Sequence, residues 1–482
     1  MDYEAVIGLE VHAQLKTQSK IFCRCSASFG AAPNSQTCPV CLGLPGVLPV
    51  LNRRAVEFAL RIALATQSRI AKTSVFARKN YFYPDLPKGY QISQYEQPLC
   101  EHGAIEIEIN QQLKRIGVTR IHLEEDAGKS IHAEEFVDVG ETFVDINRCG
   151  VPLVEIVSEP DIRSAREASL FLTRLRQIVQ YLEICDGNME EGSFRCDANV
   201  SVRPSGAENL GVKTELKNMN SFRGVEKALD FEIERQVQTL KEGGQITQQT
   251  LLWDVDKNEA IPMRGKESAH DYRYFPEPDL LPLTIKSEWI DEVRRALPEL
   301  PTARRNRFVE QFEIPEYDAN VLTDNKTVAD YFEEVASMSD DAKSASNWVM
   351  GEVLRSAKDA QVDVSELKVQ PTALAALIKL INQGTISGKI AKTVFAEMRK
   401  TGKQPDIIVK EKGLVQISDT REIQKAVVDV LQTNPTEVKK YFDGKEQILG
   451  FLVGQVMKAT AGKANPGLVN EILRTELKKM RV

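Results

Sequence analysis

Strict alternation between apolar and polar residues in two stretches predicts β-strands in the first half of the chain. One stretch runs from Val6 to Leu15 and the other from Phe194 to Val202. Alternation of period two places the apolar side chains on one face of a strand and the polar side chains on the other. Each strand is therefore expected to bury one face and to present its polar side chains on the opposite face.

Two longer segments repeat their apolar residues every three to four positions, which predicts amphipathic helices. The first opens with Ser164 and Glu167, the spacing of a capping box. The second begins near Ser221 and is expected to stop at Gly243-Gly244. The apolar positions of the first helix are Phe171, Leu175, Ile178 and Leu182.

From about Trp289 onward the pattern is helical throughout. Thr372 and Ser387 have the side chains of N-caps, and they predict the starts of two helices. Gly384 is the expected stop of the first of these helices, and Gly402 marks a further break. The second half of the chain is thus expected to contain only helices and loops.

These patterns predict an α+β protein of three parts. A mixed strand–helix body is expected over 1–292, an all-α domain over 293–405 and a small helical tail domain over 406–482. A chain of 482 residues is too long for one ordinary core, so a division into domains is expected.

Composition and charge limit the possible functions. The chain is 42% apolar and 27% charged, as in globular proteins, and no apolar run approaches membrane-spanning length. Its start lacks the basic region of a signal peptide, so a cytosolic location is expected. The net charge of −7 argues against general nucleic-acid binding, yet the segment from Val409 onward carries 13 basic and 9 acidic residues. A basic tail on an acidic body suits a protein that binds RNA with the tail, although ordinary scatter of surface charge is an alternative.

Four of the eight cysteines form two close pairs separated by twelve residues, Cys23-Arg-Cys25 and Cys38-Pro-Val-Cys41. Thiolates at this spacing can surround one Zn²⁺ tetrahedrally. Four protein ligands leave no open position, so the predicted metal over 23–41 is structural. Four free buried thiols are the alternative.

Acidic and imidazole groups in two segments suggest a second metal site. On the strand at Val6–Leu15, Glu10, His12 and Gln14 share one face. Three acids in a row, Glu124-Glu125-Asp126, precede Gly128-Lys129-Ser130. That ending resembles a P-loop, but Leu123 replaces its first glycine and the carboxylates would repel phosphate, so a P-loop is rejected. A Mg²⁺ site completed by nucleotide phosphates is the better interpretation, and a charged surface loop stays an even alternative at this point.

Two further segments combine guanidinium and carboxylate groups. Asp145–Ile156, read as one strand, offers Arg148 and Glu155 on its polar face, and the strand at Arg195–Arg203 offers Arg195, Asp197 and Asn199. Arginine and carboxylate on one face suit the binding of phosphate with a metal.

Tyrosines interleaved with basic residues occur in two similar segments, Arg78–Tyr90 and Asp271–Asp279. Such groups can stack on nucleobases and contact phosphates. Composition alone favours the alternative of packed loops with extended lysines. No G-x-S-x-G elbow and no Cys–His pair for cleaving an amide is found, so any nitrogen donor is expected to be cleaved by another chain.

Several of these motifs together resemble the signatures of the B-subunit family of aspartyl/glutamyl-tRNA amidotransferases. The resemblance covers essentially the whole chain, and several of the matching motifs exceed ten residues. The segments that carry it are Val6–Leu15, Lys79–Gln91, Leu123–Gly128, Val144–Glu155, Glu190–Arg203 and His270–Asp279.

The resemblance implies one member of a heterotrimeric ligase that forms carbon–nitrogen bonds with glutamine as the amido donor. An amidase A subunit would release ammonia and a small C subunit would hold the complex together. In the cradle-shaped body of the B subunit, ATP would phosphorylate the side-chain carboxylate of Glu-tRNA(Gln), Asp-tRNA(Asn) or both, and ammonia would displace the phosphate. The helical region and tail would contact tRNA.

The resemblance and the residue chemistry together assign roles to individual side chains. The Mg²⁺ ligands are expected to be Glu10, His12 and Glu125, with Glu155 and Glu124 as second choices. ATP phosphates or the acyl phosphate are expected to meet Arg148 and Arg195, on polar faces shared with Asp197 and Asn199. The ammonia route is expected to be lined by Lys79, Lys88 and Glu125.

Two alternatives to a catalytic synthetase stay open at the level of sequence. The first is a non-catalytic scaffold whose zinc knuckle and tail present tRNA to an enzyme elsewhere. The second is a free-standing metal-dependent kinase or hydrolase, which the missing nucleophile and the basic tail disfavour. The clustered carboxylates separate the first alternative from the enzyme, because a scaffold for a polyanion gains nothing from them.

Overall fold

The computed structural model describes residues 2–131, 141–263, 272–415, 420–460 and 463–480. The chain divides into two compact units, Met1–Pro301 and Thr302–Val482. The first unit mixes strands and helices and the second is helical, which confirms the predicted α+β class. His270 and Asp271, which belong to one of the family-like motifs, lie outside the described residues.

The first unit is built around a large mixed sheet with the strand order β14-β13-β12-β11-β1-β10-β7-β6-β2. All described neighbours in it are antiparallel except β12 and β13. Smaller sheets join β15, β4 and β5, β16 and β3, and β8 and β9. The strands are β1 (Tyr3–Gln14), β2 (Arg69–Ile70), β3 (Thr73–Ser74), β4 (Ala77–Asn80), β5 (Tyr90–Ser93), β6 (Cys100–Ile109), β7 (Gln112–Glu125), β8 (Lys129–Ile131), β9 (Phe143–Asp145), β10 (Pro152–Ser158), β11 (Phe194–Pro204), β12 (Thr214–Met219), β13 (Thr250–Asp254), β14 (Glu259–Pro262), β15 (Phe275–Pro276) and β16 (Leu283–Thr284). The helices are α1 (Arg53–Ala65), α2 (Ala165–Tyr181), α3 (Phe222–Lys241) and α4 (Ser287–Arg295).

The two predicted helices of this unit are confirmed with their caps. Ser164 accepts a hydrogen bond from the Glu167 backbone N–H at the start of α2, and Ser221 caps α3 in the same way. Each cap stabilises its helix by about 1 kcal/mol. The helices bury their apolar faces with Leu9, Val11 and other apolar residues of the sheet in one core. The opposite face of β1 is thus left to the polar side chains.

The second unit contains two separate buried clusters. The first extends from Phe308 to Val409 and the second from Ile423 to Leu477. A π-helical turn, Val349–Val353, and a 3₁₀ turn, Val364–Glu366, interrupt the helices. The helices are α5 (Pro301–Phe312), α6 (Glu316–Leu322), α7 (Lys326–Ser339), α8 (Ala342–Trp348), α9 (Leu354–Ala360), α10 (Pro371–Asn382), α11 (Gly388–Thr401), α12 (Pro405–Glu411), α13 (Thr420–Thr433), α14 (Pro435–Phe442), α15 (Ile448–Ala459) and α16 (Pro466–Met480).

Three of the four predicted punctuation residues behave as expected. Ser387 caps α11, Gly384 follows α10 with a positive φ, and Gly402 ends α11 in the left-handed region. The N-cap predicted at Thr372 is wrong, because α10 begins at Pro371 and Gln370 precedes it. Proline lacks an N–H and has a helix-compatible φ, so it is favoured at the first position of a helix. The helix therefore starts at Pro371, before the predicted cap at Thr372. No helix in the described parts of the chain is both long and apolar enough to cross a membrane.

Candidate functional site: a carboxylate–histidine cluster and a four-cysteine site

The polar face of β1 positions the first two side chains of the site. Glu10, His12 and Gln14 are partly exposed on one face, while the alternate residues are buried in the core, as predicted. The antiparallel register puts His12 opposite Glu155 of β10 and opposite Arg195 of β11. Groups from three neighbouring strands therefore lie side by side on one face of the sheet.

Strand β7 adds two more ligand-type side chains to this face. His122 lies opposite Glu155 in the β10–β7 register, and Glu124 is two residues further along the same face. His12 Nε2 lies 3.3 Å from carboxylate oxygens of both Glu124 and Glu155, and His122 Nε2 lies 3.4 Å from Glu155. We call Glu10, His12, His122, Glu124 and Glu155 the carboxylate–histidine cluster.

The cluster contains two overlapping sets of possible metal ligands. Ligand atoms of Glu10, His12 and Glu155 lie within 4.8 Å of one another, and so do those of His122, Glu124 and Glu155. Glu155 belongs to both sets. Carboxylate oxygens with imidazole nitrogens form a donor set that fits a divalent cation such as Mg²⁺ or Mn²⁺.

The electrostatics of the cluster also fit a cation. Burial raises the pKa of Glu10 to about 7, and the charge of Glu155 adds to the rise. Burial likewise acts to raise the pKa of Glu155, but His122 and His12 hold it below its usual range. The pKa of His12 is raised well above its ordinary value, since Glu124 and Glu155 outweigh the effect of burial. Excess negative charge is therefore concentrated here, and a bound cation would offset it.

Glu125 lies outside the cluster. Neighbouring residues of a strand face opposite sides, so Glu125 of β7 points away from Glu124 and forms a buried ion pair with Lys88. The Ile92 backbone N–H donates to Glu125 Oε1 at 2.8 Å, and the Gln91 side-chain amide donates to its carbonyl at 2.7 Å. The structure thus brings Glu124, and not Glu125, to His12 and Glu155.

Both expected phosphate-binding arginines meet at Asp126, the third of the three acids in a row, to which the sequence pattern assigned no individual role. Arg195 lies 3.0 Å and Arg148 3.6 Å from the Asp126 carboxylate, which also accepts a hydrogen bond from Gln14 at 2.9 Å. Arg148 donates further to the carbonyls of Ala127 and Gly128. Asp126 therefore holds two guanidinium groups beside the cluster.

The backbone around Arg148 and Gly128 differs from one prediction and agrees with another. The single strand predicted over Asp145–Ile156 is wrong, because β10 starts only at Pro152 and Gly150 before it has a positive φ of 81°. That conformation favours glycine and makes a turn from which Arg148 projects. The rejection of a P-loop is confirmed, since Gly128 leads into strand β8 and not into a helix.

Asp197 and Asn199 lie on the same sheet face, further along β11. Asp197 is opposite Glu10 and forms an ion pair with Lys217 of β12 at 2.5 Å. Asn199 lies opposite Gly8 and lines a groove of about 250 Å³ that begins at Glu10. The groove offers space for part of a ligand whose charged end reaches the cluster.

The two aromatic–basic segments are adjacent in space. Arg78 of β4 pairs with Phe275 of β15, and its guanidinium binds the buried Glu277 through two hydrogen bonds. Lys79 lies with its ammonium 4.8 Å from the ring centre of Tyr272. Burial acts to lower the pKa of Lys79, but negative groups that include Glu124 outweigh it, so the pKa is raised.

The four clustered cysteines converge as their spacing predicts. Ligand atoms of Cys23, Cys25, Cys38 and Cys41 lie within 4.8 Å of one another. A hydrogen bond from the Cys23 thiol lowers the pKa of Cys41 to about 4, and Lys20 acts in the same direction. Four sulfur donors, one of them a thiolate at neutral pH, fit a tetrahedral soft-metal site.

A buried lysine lies beside this four-cysteine site. Lys20 is 0% exposed, and its ammonium is 3.4 Å from the Ile146 carbonyl. A cavity of about 210 Å³ is lined by Lys20, Cys23 and Cys41 on one side and by Lys88 and Glu125 on the other. The sequence offered one signal that was missed, a lysine that directly precedes the apolar pair Ile21-Phe22.

Fold and site together define a class of protein: an α+β body whose sheet carries a donor set that fits a divalent cation, with a separate four-cysteine site that fits a soft metal. Comparison with protein families then identifies the family within this class. Residues 5–291 match the model described as the GatB/GatE catalytic domain, and residues 330–477 match the GatB domain. The chain belongs to the GatB family.

Curated relatives are similar over their whole length. A Geobacter sulfurreducens protein is 59% identical over 478 residues, covering 99% of this chain and all of the relative. A Carboxydothermus hydrogenoformans protein is 56% identical over 479 residues, with the same coverage. A Caldicellulosiruptor bescii protein is 54% identical over 483 residues, covering both chains fully. Each is named as the B subunit of an aspartyl/glutamyl-tRNA(Asn/Gln) amidotransferase.

Proposed function

We propose that this chain is the B subunit of a tRNA-dependent amidotransferase and contains its synthetase site. ATP phosphorylates the side-chain carboxylate of glutamate on tRNA(Gln), of aspartate on tRNA(Asn), or of both, and ammonia displaces the phosphate. The carboxylate–histidine cluster carries this proposal, and the names of the full-length relatives support it. The cytosolic location stays an expectation from the sequence.

The cluster is suited to phosphoryl transfer between anions. A γ-phosphate, an attacking carboxylate and the leaving diphosphate are all negative, so the reaction requires positive charge at fixed positions. Glu10, His12 and Glu155 would hold one Mg²⁺, with His122 and Glu124 beside it. Bound there, Mg²⁺ would neutralise the phosphate oxygens.

The arginines supply fixed positive charge without a metal. Arg148 and Arg195 are both held by Asp126, so little side-chain entropy is lost when they meet a phosphate. Asp197 lies between Glu10 and Lys217 and keeps that lysine at the edge of the same face. We assign Arg148 and Arg195 to the ATP phosphates or the acyl phosphate, with Asn199 on the side of the nucleoside.

Nitrogen is proposed to arrive from glutamine cleaved by an amidase A subunit, in a heterotrimer completed by a small C subunit. Lys88 and Glu125 form a buried ion pair that adjoins a cavity. Lys79 is half-buried beside Tyr272. Ammonium has to lose a proton before it attacks, and a carboxylate in a water-poor passage can accept that proton. We assign these three residues to the ammonia route.

Trapping of the acyl phosphate tests the proposal. The assembled complex is incubated with ATP and charged tRNA without glutamine, and hydroxylamine replaces ammonia. Formation of the hydroxamate of the side-chain carboxyl group, with one ADP and one phosphate released per product, is expected. A complex that releases no ADP in response to charged tRNA would contradict phosphoryl transfer.

A non-catalytic tRNA scaffold is the second candidate, and the buried charges argue against it. Glu124, Asp126 and Glu155 are only 3%, 3% and 4% exposed on the face that would receive RNA. Burying carboxylates beside a polyanion is unfavourable without a cation between them. The enzymatic proposal explains their presence and the scaffold does not.

The metal of the four-cysteine site is proposed to be Zn²⁺ with a structural role. Zn²⁺ bound to four thiolates carries a net charge of −2, and the buried ammonium of Lys20 is placed to offset part of it.

Lys20→Met is therefore expected to lower zinc affinity by about tenfold, as loss of an outer-shell partner does. Zinc transfer to a chromogenic chelator measures this effect. Lys16→Met is the matched control, since Lys16 is exposed on the same segment. Equal zinc retention in both variants would remove Lys20 from the metal site.

The tail domain is proposed to contact tRNA. Ile408 and Val409 of α12 pack in the first buried cluster of the second unit, whereas the cluster from Ile423 onward is separate. We therefore place the start of the tail after Val415. Its exposed lysines include Lys439, Lys445, Lys458 and Lys478.

Truncation after Val415 is expected to weaken tRNA binding about tenfold or more and to reduce the slope of log affinity against log salt by about 2 to 4. Binding isotherms at several salt concentrations measure both quantities. The truncated complex is expected to keep full hydroxamate formation at saturating tRNA. Unchanged affinity and slope would show that the tail does not bind tRNA.

A further inference from the structure

Five tyrosines form a continuous series of ring contacts next to the carboxylate–histidine cluster. We call Tyr81, Tyr83, Tyr95, Tyr272 and Tyr274 the tyrosine arc. Ring centres are 5.8 Å apart for Tyr81 and Tyr83, 5.9 Å for Tyr81 and Tyr272, and 6.2 Å for Tyr272 and Tyr274. Tyr95 stacks on Tyr274 at 4.1 Å with planes 8° apart. Three separate segments of the chain thus build one aromatic surface.

This surface is open to a ligand. Tyr95 is 45% exposed and Tyr83 is 49% exposed, while the other three rings are partly exposed. A ring pair that is already stacked, as Tyr95 and Tyr274 are, presents a flat face at little further entropic cost. A contiguous aromatic surface of this kind marks an interaction site.

Two cationic side chains, Lys79 and Arg120, border the arc and have N–H groups that are not used in hydrogen bonds within the described residues. The Lys79 ammonium lies 4.8 Å from the Tyr272 ring centre, and within the described part of the chain it has no hydrogen bond or ion pair. The Arg120 guanidinium lies 6.0 Å from the Tyr95 ring centre, and its nearest carboxylate contact is Glu155 at 3.8 Å. Among the residues that the structure describes, buried Arg120 Nε has no hydrogen-bond partner. These groups can accept an anionic ligand.

The arc adjoins the site of chemistry. Arg120 connects Tyr95 to Glu155, which belongs to both ligand sets of the cluster. The Ser93 hydroxyl, two residues before Tyr95, donates to the Glu124 carboxylate at 3.3 Å. The Tyr95 end of the arc is therefore separated from the Glu155 carboxylate by one arginine side chain.

We propose that the tyrosine arc binds the unpaired 3′ end of the charged tRNA and stacks its terminal nucleobases, so that the esterified amino acid reaches the cluster. The proposal rests on the function proposed above and adds the place of the RNA substrate to it. Arg120 would meet a phosphodiester group between the stacked bases.

The two nucleotide-containing substrates, ATP and the tRNA 3′ end, differ in charge density and in the number of bases. This difference favours the tRNA 3′ end as the ligand of the tyrosine arc. ATP is a compact polyanion, and the fixed guanidinium groups of Arg148 and Arg195 with the cluster match its triphosphate. A single-stranded RNA end offers several adjacent bases with low charge density, and aromatic surfaces bordered by cations bind such strands. A run of five rings exceeds what one adenine can cover.

Alanine variants of the arc test the proposal in the assembled complex. Tyr95→Ala and Tyr274→Ala are expected to raise the KM for charged tRNA about tenfold each, the loss of one stacking partner. The KM for ATP is expected to stay within about twofold, since the triphosphate contacts are untouched. Tyr95→Phe and Tyr274→Phe keep the ring and are expected to restore the wild-type KM. Tyr317→Ala, at an isolated exposed tyrosine of the second unit, is the matched control.

A tRNA that lacks its three 3′-terminal nucleotides identifies the contact. The wild-type complex is expected to bind this shortened tRNA more than about tenfold more weakly than intact tRNA, whereas the difference between the two tRNAs is expected to be about tenfold smaller for the Tyr95→Ala complex. A rise in the KM for ATP alone would assign the arc to the adenine and overturn the proposal. Unchanged constants for both substrates would make the arc a packing feature and overturn it equally. The alanine variants are expected to form hydroxamate at saturating tRNA. This result would show that the proposed phosphoryl transfer is intact, so a failure of the arc proposal can be told from a failure of the proposed function.

Discussion

Glu155→Gln is expected to lower the rate of ATP-dependent amidation at least about 100-fold, with ammonium salt as well as with glutamine as the nitrogen source. Glu155 is shared by both possible ligand sets, and it lies opposite His12 in one strand pair and His122 in the other. The amide keeps the size of the side chain but removes the charge that a cation requires. Loss with ammonium salt places the defect in the synthetase step and not in glutamine cleavage.

The control for this experiment is Glu106→Gln, an exposed glutamate on β6 of the same sheet. It is expected to leave the rate within about twofold of wild type, as surface substitutions usually do. Affinity for tRNA is expected to be unchanged in both variants, because the phosphate-binding groups are intact. Full turnover by Glu155→Gln would exclude the cluster from the reaction.

The adjacent residues Glu124 and Glu125 are expected to differ in their effects on metal binding and on stability. Glu124→Gln removes a cluster ligand and is expected to weaken Mn²⁺ binding to the complex. Glu125→Gln leaves the buried Lys88 without its ion-pair partner, so it is expected to lower stability by about 3 kcal/mol while Mn²⁺ binding persists. Titration with Mn²⁺ followed by electron paramagnetic resonance separates the two variants.

Cys38→Ser is expected to release the bound zinc and to lower the melting temperature of the first unit by about 5 °C or more. The segment 15–52 contains no helix and no strand longer than an isolated bridge, so a metal bound by the four cysteines would supply much of its order. Asn34 donates to the Val144 carbonyl at 2.9 Å, and Asn147 donates to the Ala32 carbonyl at 2.7 Å. These bonds join the cysteine segment to the turn that carries Arg148, so the KM for ATP is expected to rise as well.

Zinc content by atomic emission and thermal unfolding measure these effects. Cys185→Ser is the matched control, because Cys185 is also buried but lies outside the four-cysteine site. It is expected to keep the zinc. If Cys38→Ser and wild type contained equal zinc and melted together, the four-cysteine site would have no structural metal.

Periodicity was sufficient to predict the parts of the fold that one strand or helix determines alone. The faces of β1 and β11 and the caps of α2 and α3 follow from side-chain spacing and hydrogen-bonding groups within a few residues. Gln370 at the start of α10 was missed, because the first-position preference of Pro371 outweighed the capping preference of Thr372.

The composition of the site was harder to predict, because it depends on register between distant strands. Glu124 and Glu125 are adjacent and chemically alike, and only the pairing of β7 with β10 decides which faces His12. His122 joins the cluster through the same pairing. Lys20 contacts Ile146, and Asp126 contacts Gln14. In each pair the two residues are more than one hundred positions apart in the sequence. Local patterns do not contain this information.

We propose that carboxylates and imidazoles from three strands bind a divalent cation together with ATP. The most direct measurement is anomalous scattering from crystals of the complex soaked with Mn²⁺ and a non-hydrolysable ATP analogue. A manganese peak touching Glu155 and His12, with the triphosphate between it and Arg195, is the predicted result. A nucleotide bound at another place, with no manganese at the cluster, would contradict the claim.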